Sequence, residues 1–329
     1  MFPIDIYLAL YLILIGFMVG ILSGFFGFGG GFIIAPFLFT LGVPMNVAVG
    51  TSITQILGTS VIATMRHKSL GHVDVKLGIT IAAGSLIGVE AGAQLVMYFK
   101  GIGTEALNLS ISLTYIFVLG FISIYTSHEA WKTRRSDASP SKKGIADKVQ
   151  CLRVPPMISL PSSNVASISI WVILFVGFIT SILAGFIGAG GGFVLVPSLI
   201  YIIGCGTTVA VGTVLFEILI AGVYASFSHA IKGNVDILLA TIMLIGSSIG
   251  ARISVSTTKY VKGANLRLAF GFCVGFVSLS VTLELISKLS EIQIFGLLSQ
   301  LIFFLTLLSL ALLIITHTFL SIKKKFLHN

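Results

Sequence analysis

Charge is scarce in this chain. Asp, Glu, Lys and Arg make up 9% of its 329 residues, against about 25% in an average soluble domain, while 56% are hydrophobic and mean hydropathy is +1.08. That shortage excludes a water-soluble globule. Cysteine is scarcer still: Cys151, Cys205 and Cys273 are isolated and odd in number, which argues against a disulfide framework and a metal site. Acidic residues number 11 against 20 basic, yet the basic excess sits in loops between apolar runs, so it reads as membrane topology and not as a nucleic-acid surface. No Lys or Arg precedes the first apolar run and no small-residue cleavage site marks it. That run is therefore expected to be a retained span and not a signal.

What the chain has instead is long apolar segments. Seven of them, Ile4–Phe26, Val73–Tyr98, Thr104–Ser127, Ile168–Ile187, Val235–Thr257, Leu266–Ser287 and Phe295–Ile322, approach or exceed the ~20 residues that carry a helix across hydrocarbon. Two others, Phe32–Met65 and Phe193–Ala230, are too long for one span and are interrupted at Gly42–Asn46 and Gly204–Thr208. Each is expected to be a helical hairpin. Basic residues cluster around Arg66, Lys68 and Lys76, in the 129–165 linker, around Lys259, Lys262 and Arg267, and at Lys323–Lys325. One topology puts every cluster in the cytoplasm: N-terminus outside, C-terminus inside, in the cytoplasmic membrane. The linker is expected to be mobile, its charges near anionic headgroups.

The chain also repeats itself. Gly24–Pro36 (GFFGFGGGFIIAP) returns as Gly185–Pro197 (GFIGAGGGFVLVP), 8 of 13 positions identical, and Val47–Thr51 (VAVGT) recurs as Val209–Thr213. His67, Gly71, Val73 and Asp74 recur as His229, Gly233, Val235 and Asp236. A doubled unit with glycine-broken apolar segments at matching places points to a secondary transporter. Three spans plus a hairpin reverse the second copy relative to the first. The expected architecture is thus an all-α membrane protein of two inverted-topology repeats, residues 1–128 and 166–290, joined by the 129–165 linker. Residues 291–329 add one peripheral helix and a basic tail.

Candidate site residues follow from where backbone leaves helical geometry, which lipid does not tolerate unless protein or a watery cavity receives it. Gly29, Gly30 and Gly31, with Gly190, Gly191 and Gly192, are expected to offer backbone amides at half-helix starts to an anion. Thr51, Ser52, Gln55 and Thr213 lie early in the helices after the hairpin tips and are expected to line the same site; the competing reading has such hydroxyls bonding their own helix. Glu217, whose repeat mate is Gln55, is the candidate proton carrier. Glu90 has Arg252 as its mate, and a bridge between them is one reading. His67 and His229 are candidate gates. Asp74 and Asp236 are expected to cap helices, which accounts for a His–Asp spacing that otherwise hints at hydrolase chemistry. Gly84, Gly88, Gly92, Gly246 and Gly250 read as packing faces. No catalytic set, metal cluster or cofactor motif is found, and Gly27–Gly31 lacks the strand a dinucleotide fingerprint needs.

The paired Gly-Phe-x-Gly-x-Gly-Gly-Gly-Phe-x-x-x-Pro signatures, each followed by Val-Ala-Val-Gly-Thr and then by His and Gly-x-Val-Asp, resemble the sulfite exporter TauE/SafE family, the toluene-sulfonate uptake permeases. The resemblance implies a multi-pass permease for sulfite, sulfonates or other sulfur-containing anions, coupled to a proton or sodium gradient. Two readings from other classes stand beside it. One is a passive anion channel built on the same broken helices; the other is a membrane-embedded enzyme or assembly factor.

Overall fold

The computed structural model describes residues 5–135, 145–257 and 264–327. Helices follow the apolar runs: α1 (Ile6–Phe26), α2 (Gly31–Thr40), α3 (Met45–Ser69), α4 (Val75–Ile102) and α5 (Thr104–Arg135) form the first half. A short α6 (Ile145–Gln150) and a two-stranded hairpin, β1 (Met157–Leu160) and β2 (Val165–Ser169), precede the second half. There α7 (Ile170–Ile187), α8 (Gly192–Ser198), a π turn (Leu199–Ile203), α9 (Thr207–Ile231), α10 (Ile237–Thr257) and α11 (Ala264–Ser290) repeat the order, and α12 (Gln293–Leu327) follows. Among the described residues nine helices are long and apolar enough to cross a membrane. Basic residues 142, 143, 259 and 262 lie outside the described residues, as do the side chains, though not the helical backbone, at 132, 134, 135, 267 and 323–325.

The hairpins have unequal arms. In each, the second arm, α3 or α9, is 25 residues long, about 37 Å, whereas the 10 residues of α2 reach about 15 Å. Glycine and proline set this difference. Gly29 and Gly30 sit at φ +72° and +83° before α2, Pro36 lies inside it, and Gly190, Gly191 and Pro197 repeat the pattern around α8. The short arm begins deep: a methyl group on Gly29 would stand 2.5 Å from the side chain of Ile56, halfway along α3.

Helices pack across the halves more than within them. Gly16, Gly20 and Gly24 of α1 bring their Cα atoms against Met243, Ser247 and Ala251 of α10, and Gly246 and Gly250 answer against Ile13 and Phe17. The repeat mates do the same: Gly84, Gly88 and Gly92 of α4 meet Leu174, Phe178 and Ile182 of α7. Small residues four apart let these backbones touch, which replaces the hydrophobic drive that lipid removes. Both pairs run parallel. Mates α3 and α9 run antiparallel, with Gly50 against His229, Thr54 bonded to Ser226 and Gly222 against Leu57. Likewise Ser123 reaches Gly271 and Ser278 reaches Ile116 between α5 and α11.

One expectation changes. The linker is partly built into the fold: Gln150 donates to the Ile203 carbonyl, Lys76 to that of Ser159, and Ser163 to the Asp74 carboxylate at 2.7 Å. Leu160, Val165 and Ile168 are buried there. The peripheral helix α12 is seated on the first half. Its Phe303 stacks on Phe37 at 5.6 Å and Gln300 donates to the Thr40 carbonyl, so it seals the outer face of α2. The equivalent seat on the second half, beside Val172, Ser198 and Val194, is an open apolar groove of about 840 Å³.

Candidate functional site

The two glycine-rich breaks meet at the centre of the molecule. A methyl group on Gly31 would lie 2.7 Å from the Gly188 carbonyl oxygen, and one on Gly192 would lie 2.8 Å from the Phe28 Cα. Each break also leans on the Val-Ala-Val-Gly-Thr segment of the other half. Gly27 abuts Val211 and Gly188 abuts Val49. The two recurring motifs are therefore the two sides of one interface. Positive φ at Gly27, Gly29, Gly30, Gly188, Gly190 and Gly191 turns the chain inside that interface, at a bend L side chains rarely adopt. Among the described residues, no backbone acceptor serves the N–H groups of Gly29, Gly30, Gly190 and Gly191.

Beside this contact lies a small cavity of about 20 Å³, walled by Gly190, Ser181, Ile53, Ile56, Val89 and Glu217. That is room for one water-sized occupant. The Glu217 side chain is 3% exposed, and Ser85 of α4 donates to the Gly177 carbonyl. Its repeat mate Gln55 is fully buried and donates to Ser247 at 2.5 Å and to Thr59 at 2.9 Å. Ser85 and Ser247 are themselves mates at the 162-residue offset. The two repeat-matched positions thus differ in chemistry, one with a buried carboxyl and one with a buried amide. These serines were legible from the repeat offset, though not from any motif.

The hydroxyls predicted to meet a ligand are already engaged. Thr51 Oγ1 accepts from the Asp236 backbone N–H at 2.9 Å, and Thr213 Oγ1 accepts from that of Asp74 at 2.9 Å. Both threonines are fully buried. Ser52 donates to the Gly188 carbonyl and so fastens the second break. Tyr115 does the same for Ile187, at 2.5 Å. The histidines do not face water as gates either. His67 and His229 are buried, with Nε2 donating to the carbonyls of Gly24 at 3.3 Å and Gly185 at 3.1 Å. Each pins the helix end that precedes a break.

The aspartates cap as expected: Asp74 accepts from Leu77 N–H at 3.0 Å, and Asp236 from Leu238 and Leu239. Glu90 is held by Lys232 at 2.9 Å, with Ser228 and Gln94 at 2.6 Å, in place of a bridge to Arg252. Repeat mates lie at matching positions of different helices, and Lys232 is simply nearer.

A differential effect follows from the threonines. Thr213→Val strands a buried N–H, since Asp74 is 3% exposed, and should cost about 1–3 kcal/mol. Thr51→Val should cost less, because Asp236 is partly exposed and water can serve its N–H. Thermal unfolding of the two purified variants checks the order.

The chain resembles known proteins along most of its length. It is 27% identical to the probable membrane transporter protein YunE of Bacillus subtilis, over 75% of this chain and 88% of that protein. It is 29% identical to a probable membrane transporter protein of Methanocaldococcus jannaschii, over 83% of this chain and 94% of that one. With the probable membrane transporter protein YdhB of Bacillus subtilis it shares 23% identity, over 78% and 94% respectively. No solved structure matches it. The model of the sulfite exporter TauE/SafE family matches residues 12–281, from within α1 to within α11, and takes in both glycine breaks. The chain belongs to the TauE/SafE family of multi-pass membrane transporters.

Proposed function

We propose that this protein is a secondary transporter that carries a small anion, sulfite or a sulfonate, across the cytoplasmic membrane by alternating access. The observation that carries the reading is the meeting of the two breaks, whose glycine N–H groups have no backbone acceptor among the described residues and lie at the starts of two short helices deep in the fold. Helix starts of this kind favour negative charge. Antiparallel mates and reciprocal glycine contacts support an inverted repeat, and the basic clusters favour an N-terminus outside and a C-terminus in the cytoplasm.

The moving bodies in this reading are not the sequence halves. The bundle of α1, α10 and α3 rocks against that of α7, α4 and α9, with the α3–α9 seam as the pivot. The cavity of about 20 Å³ marks a closed arrangement, which rocking would widen toward either face. Glycine suits the breaks in this reading because side chains there would jam the moving contact.

Reconstituted protein should exchange radiolabelled sulfite across proteoliposomes with saturable kinetics and with acceleration by unlabelled sulfite on the far side. Flux that rises without saturation and ignores sulfite on the far side would instead assign a channel.

A further inference from the structure

We infer that Glu217 takes up the proton that travels with the anion, and that the chain carries one such proton site per cycle because the equivalent position is a glutamine. This rests on the transporter reading above and names its coupling.

The argument begins with position. Glu217 stands in the wall of the cavity beside Gly190 and Ser181, 3% exposed, in the middle of α9. Among the described residues no cation lines that cavity. The elements packed on α9 supply none nearby. Helix α3 has no charged residue from Met45 to Met65, and α7 and α8 have none at all. On α4 the charges are Lys76 and the capping Asp74 at one end, Glu90 further along, which Lys232 holds at 2.9 Å, and Lys100 in the last turn, which donates to Asn234 Oδ1 at 3.4 Å. On α9 itself, His229 is spent on the Gly185 carbonyl. A carboxylate so placed has no cation beside it among the residues that wall the cavity. Burying an unpaired charge costs far more than burying a neutral acid.

An incoming anion sharpens the conflict. The amide of Gly190, in the wall that Glu217 shares, favours a negative charge there, and two like charges within a few ångströms cannot both persist in low dielectric. One proton on the carboxyl removes the repulsion and leaves a hydrogen-bond donor. The anion therefore binds only with the proton, and both leave on the same side: the carboxyl takes a proton from the water on the entry face and returns it to the water on the exit face. The transport is symport.

The repeat supplies the count. Gln55 keeps the shape of a protonated glutamate, and its partner Ser247 is the mate of Ser85. The first half is thus held permanently in the loaded form. Only the second half titrates.

Proteoliposomes with the full chain test this. Sulfite exchange is measured at equal pH on both sides, and sulfite accumulation under a pH difference of one unit. Sulfite's own protonation is common to wild type and variant, so the ratio between them is the readout. Glu217→Gln should keep exchange within a few fold of wild type and lose the coupled component, leaving wild type with about tenfold more accumulation per pH unit. Equal accumulation in both overturns the inference, as does loss of exchange in a Glu217→Gln protein with wild-type Tm. Should that variant fail to fold, Glu217→Asp and Glu217→Asn carry the same comparison, carboxyl kept against carboxyl lost, with coupling expected only in the first. Wild-type exchange without any difference from the variants leaves the transporter and removes the proton site; absence of wild-type exchange removes the transport reading itself.

Discussion

Replacing Gly31 or Gly192 with alanine is expected to abolish sulfite exchange. The added methyl of Gly31→Ala would stand 2.7 Å from the Gly188 oxygen and the Ala189 carbonyl carbon, and that of Gly192→Ala 2.8 Å from the Phe28 Cα and 2.9 Å from the Gly27 oxygen. These obstacles are backbone, so they cannot rotate away. The breaks must separate, at a cost of about 1–3 kcal/mol for overpacking, and their backbone amides are re-aimed. Gly101, with nothing within 4 Å of an added methyl, provides the control, and Gly101→Ala should match wild type. Counterflow in proteoliposomes, read beside Tm, decides the matter. Wild-type exchange in both Gly31→Ala and Gly192→Ala would mean that the break contact has no part in transport.

Removing either buried imidazole should be the most damaging single change to stability. His67→Ala and His229→Ala each leave a cavity and a carbonyl, Gly24 or Gly185, without its donor. Together these losses amount to about 2–4 kcal/mol, and exchange should fall with them. Glutamine carries an amide donor of comparable reach, so His67→Gln and His229→Gln should recover part of the loss. A gate would behave differently: alanine would alter the rate at unchanged Tm. Thermal unfolding of the four variants separates the two roles.

The comparison of repeats made much of this readable beforehand. Offsets of 161 and 162 residues align Gly24 with Gly185 and Asp74 with Asp236, and the structure uses each pair in the same way. Apolar length marked the helices, and glycine four-residue spacing marked the faces of α4 and α10. What a linear reading misses is partner choice. Thr51 and Thr213 look like free hydroxyls beside a break, yet the atoms they meet belong to Asp236 and Asp74 in the opposite half. Lys232 replaces Arg252 at Glu90 for the same reason. The seat of α12 on α2, and the docking of Ser163 on Asp74, depend on surfaces that exist only after both halves have assembled. Glu217 remained visible because a buried acid is rare enough to announce itself.

The exchanged pairing of α1 with α10 and of α4 with α7 bears on how the molecule is made. As the chain leaves the ribosome, the glycine-lined face of α1 enters the bilayer with its partner still unsynthesised, since Ile237–Thr257 lies well into the later half. Until then α1 must be sheltered by the insertion machinery or by lipid. Cutting the gene between the repeats should consequently yield two fragments that are degraded when expressed singly and survive when expressed together.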